Sequence, residues 1–82
     1  MVMSDHQDSE HFAYNRSWDD IEDMLYAAER KQNYWVNVFY EARQRDNRKI
    51  MKEAARNKKA LEGVIKTLRW VLGDFNVTHP LE

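Results

Sequence analysis

Eighty-two residues make one domain at most, and a chain this short leaves much of its surface wet unless a second copy or a partner covers it. The absence of cysteine excludes a disulfide framework and a thiolate metal site. The net charge of −1 conceals a segregation: residues 1–29 hold eight acids against Arg16, residues 30–70 hold twelve bases against four acids, and the last twelve add Asp74 and Glu82. A charge split of that size calls for an explanation in the fold, in a partner, or in both.

No apolar run approaches the roughly 18–20 residues that span a bilayer, so no membrane partner is expected. The first six residues lack the basic and apolar regions of a secretion signal, and cytoplasmic residence is the expectation. Residues 1–11 are polar and acidic and are expected to form a disordered arm. Residues 12–82 then form a single helical domain with a short C-terminal tail.

From Ser17 to Leu72 the only glycine is Gly63 and there is no proline, so helix is the default. Ser17 suits an N-cap, and Asp19, Asp20, Glu22 and Asp23 sit at the positive end of the helix dipole. Trp18, Ile21, Leu25, Ala28, Gln32, Trp35, Phe39 and Ala42 alternate by three and four residues, which marks a packed seam. That phase then fails. The apolar series resumes one residue late at Asn47, Ile50, Ala54, Asn57, Leu61, Val64, Leu68 and Val71.

A slip of one residue turns the stripe by about 100°, so one continuous helix cannot keep it dry. The chain must fold back near Arg43–Asn47, where Asp46-Asn47 is compatible with a turn. The spacing therefore predicts an all-α antiparallel helical hairpin with helices over 17–43 and 47–72. Gly73 is placed to close the second helix. Pairing positions whose numbers sum to 89 sets Leu25 against Val64, Ala28 against Leu61 and Phe39 against Ile50. The same pairing sets Gln32 against Asn57, a seam amide pair expected to bond and fix the register. It also lays the acidic start of the first helix beside Lys58, Lys59, Lys66 and Arg69.

Met24, Val38, Met51, Ala55, Ile65 and Leu72 widen the seam beyond what two helices cover. Either the arms (Phe12, Tyr14, Phe75, Val77, Leu81) fold over the hairpin, or two hairpins form a homodimeric four-helix bundle. The dimer is the favoured expectation.

A second stripe runs along the other helix face: Arg45, Lys49, Lys52, Arg56, Lys59, Gly63, Lys66 and Trp70. It lies about 150° from the seam and should face solvent. Six bases in line suit an acidic protein surface, and nucleic acid is an alternative partner because such a ridge can follow phosphates. A charged face kept for solubility, or docking of the acidic arm, explains the same stripe. Trp70 could anchor a partner, as could Tyr26, Tyr34 and Tyr40, which lie off the seam. Gly63 would admit a close approach to the ridge, at a cost to helix stability.

His6, His11 and His79 lack metal-ligand spacing and fall in the expected tails, so no metal or cofactor is expected. No phosphate-binding loop, nucleotide fingerprint or nucleophile with an evident base appears, and neither an enzyme nor a small-molecule substrate is expected. The functional expectation is a small interaction or regulatory protein that docks on a larger macromolecule. Its alternatives are a nucleic-acid-binding accessory protein and a structural subunit of an assembly.

Overall fold

The computed structural model describes residues 15–82. Residues 1–14, and with them the expected acidic arm, Phe12, Tyr14, His6 and His11, lie outside the described residues. Two helices make up the fold: α1, Trp18–Gln44, and α2, Arg48–Val71. They pack against each other as an antiparallel hairpin. At about 1.5 Å per residue the helices run roughly 40 and 36 Å. Neither is long and apolar enough to cross a membrane.

Local chemistry fixes each helix end. The Ser17 hydroxyl accepts the Asp20 N–H at 3.0 Å, and the Asp20 carboxylate accepts the Ser17 N–H at 3.4 Å. This reciprocal capping box satisfies two otherwise orphaned donors, and Asp19 and Asp20 complement the dipole. At the other end of α1, the Asn47 N–H reaches Ala42 O at 2.8 Å and the Asp46 N–H reaches Arg43 O at 3.2 Å. Asp46 takes the left-handed conformation, φ 55°, that this Schellman closure needs. Asn47 then caps α2, its Oδ1 accepting the Ile50 N–H at 3.2 Å. Three residues thus end one helix and start the next. The helices begin one residue later than the spacing predicts because Ser17 and Asn47 are caps, and α1 continues to Gln44 because Asp46 makes the turn.

The same motif closes α2. The Asp74 N–H bonds Arg69 O at 2.9 Å, the Gly73 N–H bonds Trp70 O at 3.1 Å, and Gly73 has φ 86°. Asp74 Oδ1 accepts the Asn76 N–H, which tightens the next turn. Val77 and Pro80 are half-buried against the α2 surface near Gly63, whereas Phe75 and Leu81 project into solvent.

The core is small. Leu25, Ala28 and Ile65 form a buried cluster, with Leu61, Leu68 and Leu72 packed against it. Towards the turn only Ala42 and Ala54 are buried, with Trp35, Phe39 and Ile50 half-buried beside them. Three predicted seam residues are corrected: Trp18 is 67% exposed, Val64 44% and Val71 37%. Ile65 and Leu72 replace the two valines. Ala54 to Ile65 is eleven residues, three turns at about 3.6 residues each, so the apolar line follows a nearly straight helix rather than a heptad.

The register also differs from the predicted one. Ala28 clusters with Ile65, whose numbers sum to 93, and Gln44 and Arg48, which bound the turn, sum to 92. The helices are therefore offset by about one turn from the sum-of-89 pairing. Gln32 and Asn57 do not form the expected amide pair: Asn57 Nδ2 donates to Glu53 O of its own helix at 2.9 Å. The charge split is answered by one cross-helix ion pair among the described residues, Glu29 to Arg69 at 2.6 Å. Asp19, Asp20, Glu22 and Asp23 reach no basic group within 4.0 Å among those residues.

Candidate docking surface

The basic stripe lies on the outward side of α2, about 120–180° from the buried line through Ala54 and Ile65. Arg45, Lys49, Lys52, Arg56, Lys59 and Gly63 are exposed, Lys66 is half-buried, and Trp70 is half exposed at the open end. Lys59 has a partner in Glu62 at 3.9 Å, and the cation remains largely solvated. Among the described residues, Arg45, Lys49, Lys52, Arg56 and Lys66 have no carboxylate within 4.0 Å. Like charges spaced three or four apart on a helix repel, each pair costing roughly 0.2–0.5 kcal/mol. Along α2 the ridge contains Lys49/Lys52, Lys52/Arg56 and Arg56/Lys59, while Arg45 precedes the helix in the turn, so folding of the hairpin alone does not favour it.

A Cβ added at Gly63 meets nothing within 4 Å. The hairpin itself therefore needs no glycine there. The Thr67 hydroxyl donates to Gly63 O at 2.9 Å, a bond that any residue at position 63 would preserve.

The tyrosines do not share one surface. All three are exposed. Tyr26 and Tyr34 lie about 160° and 120° from the α1 core line in opposite senses, on the outer face of α1 away from the ridge. Tyr34 meets Trp35 edge-on at 5.1 Å between centroids. Tyr40 instead flanks the inter-helix groove, beside Lys58 and Lys59. It stands edge-on to Phe39 at 5.6 Å and 88°. The structure brings Tyr40 to the basic helix and separates the other two from it.

The Glu29–Arg69 contact shows which flanks of the two helices lie together. Val36 and Tyr40 follow Glu29 on one side of α1; Met51, Ala55, Lys58 and Glu62 precede Arg69 on the matching side of α2. Met24 of α1 and Val64 and Val71 of α2 fall on the opposite flank. There Met24 is 57% exposed, and the two valines add to an apolar surface that continues into Leu68 and Ile21. The flank with Lys58 is thus cationic towards the turn, and the opposite flank is apolar at the open end.

Periodicity alone indicates the outward ridge. It does not show Arg43, Arg48, Lys58, Val36, Met51 and Ala55 gathered along one groove, because that requires the hand and register of the pairing. The one available signal was that Ala55, Lys58, Glu62 and Arg69 follow the predicted seam positions by one residue. Among the described residues no three His, Asp or Glu side chains converge to hold a metal ion. Set beside known proteins, the chain matches no family model, no curated protein and no solved structure, so its functional reading rests on its own residues.

Proposed function

We propose that the chain is a non-enzymatic interaction or regulatory protein whose basic α2 face docks on an acidic surface of a larger protein. The observation that carries this reading is the solvent-facing row of cations of which, among the described residues, only Lys59 has a carboxylate within 4.0 Å. An acidic partner would relieve their mutual repulsion on binding and steer the encounter. Trp70, at one end of the ridge, supplies an aromatic of the type that anchors interfaces.

Self-association is the companion proposal, supported by the other flank. Exposed Met24, Val64 and Val71 offer an apolar strip on which a second hairpin builds a four-helix bundle. The two surfaces lie on different sides of the molecule, so a dimer leaves both basic faces open.

Affinity capture from native extract tests docking. The wild-type chain is expected to retain a partner that a Lys49→Glu, Arg56→Glu double variant loses. The interaction should also weaken as salt rises, because it is electrostatic. Equal recovery by both proteins would sink the ridge reading. Sedimentation at tens of micromolar tests self-association: a dimer is expected, and Val64→Lys should return it to a monomer.

A further inference from the structure

The groove on the cationic flank, close to the turn, has a composition that the outward ridge lacks. Its floor is apolar: Val36, Phe39 and Met51 are half-buried, and Ala55 is small and open. Its rim is cationic: Arg43, Arg48, Lys52 and Lys58 are exposed, and none has a carboxylate within 4.0 Å among the described residues. The groove's acids are Asp46, which makes the turn, and Glu62, which faces Lys59. Tyr40 forms an exposed aromatic wall on the α1 side.

We propose that this groove binds an acidic amphipathic helix of the partner, with apolar side chains seated over Phe39, Met51 and Ala55 and carboxylates against the rim. The proposal rests on the docking reading above and names the segment recognised. Charge complementarity selects an acidic ligand, and the apolar floor selects one with a hydrophobic stripe. A phosphate backbone would satisfy the rim and leave the floor wet. The hairpin offers no sheet edge to pair an extended strand, whereas a helix arrives with its own backbone groups satisfied. The groove runs from Arg48 to Glu62 along α2, about 21 Å at 1.5 Å per residue, which matches a ligand of roughly four turns.

The test is selection of a displayed random library of peptides about 16 residues long on the full 82-residue chain. Affinities of the enriched peptides are then measured by fluorescence anisotropy. Enrichment of Asp and Glu together with Leu, Phe or Trp at helical spacing is expected. Ala55→Trp fills the floor, and an Arg48→Glu, Lys58→Glu double variant reverses the rim. Each is expected to weaken binding by about tenfold or more, or about 1.4 kcal/mol. All three positions are exposed, and unchanged far-UV circular dichroism will verify that each variant folds.

The ridge variant Lys49→Glu, Arg56→Glu should alter the same affinity by only a few-fold, because those charges face away from the groove. Loss with the ridge variant and not with the groove variants would overturn the groove while leaving docking by the ridge intact. Enrichment without acidic and apolar bias would overturn it as well. So would a 20-nucleotide single strand that binds more tightly than every selected peptide at about 50 mM salt, which would assign the cations to phosphate.

Discussion

The open end of the hairpin and its turn end are built on different principles. At the open end, Leu25, Ala28 and Ile65 are buried, three leucines surround them, and Glu29 bonds Arg69 across the helices. Towards the turn, the buried residues are Ala42 and Ala54, while the larger Phe39, Ile50 and Met51 stay half-buried. Small buried residues leave the larger side chains beside them only partly covered, and that is how an apolar groove floor arises. The leucine cluster sits at the open end, and the proposed groove lies where leucines are absent.

The largest expected effect breaks this contrast at the open end. Leu25→Ala removes the side chain at the centre of the main cluster and should cost about 2–4 kcal/mol. Met51→Ala near the turn should cost much less, because Met51 is already partly in water. Chemical denaturation of the two variants measures the difference. Equal losses would mean that the core is spread evenly along the hairpin.

A smaller effect sharpens it near the turn. Ala54 is fully buried, at 0% exposure, so Ala54→Leu must push the helices apart or distort rotamers, at a cost of about 1–3 kcal/mol. Ala55→Leu, one residue away on the groove, should be close to neutral. If Ala54→Leu were also neutral, the close approach of the helices would be wrong.

The features legible in the sequence were those set by neighbours along the chain. Ser17 and Gly73 act at the helix ends where their chemistry placed them, and the phase slip located the turn. The outward stripe was equally legible, since a position opposite the seam stays opposite after a shift of one turn. Register was not. Gln32 and Asn57 looked like a pair because a strict heptad aligned them, but the straight α2 line ran from Ala54 through Ile65 to Leu72. Asn57 found an acceptor in its own helix. The groove inherits this difficulty, because its two walls belong together only once Glu29 is known to meet Arg69, whereas the sum-of-89 pairing sets Glu29 against Ala60.

The finest comparison is between the two left-handed caps. Asp46 and Gly73 close their helices with the same pair of backbone bonds, at φ 55° and 86°. A Cβ in this conformation costs roughly 1–2 kcal/mol, part of which an aspartate recovers through local hydrogen bonding. Asp46→Gly should therefore stabilise the hairpin, by about 0.5–1 kcal/mol once the greater freedom of glycine in the unfolded chain is deducted. Gly73→Ala should do the reverse and destabilise by about 1 kcal/mol, although its added Cβ meets nothing within 4 Å. Thermal melts of the two variants should move in opposite directions. If Asp46→Gly melts lower, the carboxylate stabilises the turn by more than its backbone strain costs. Retention of Asp46 beside the cationic groove would then be a stability requirement and not a tolerated strain.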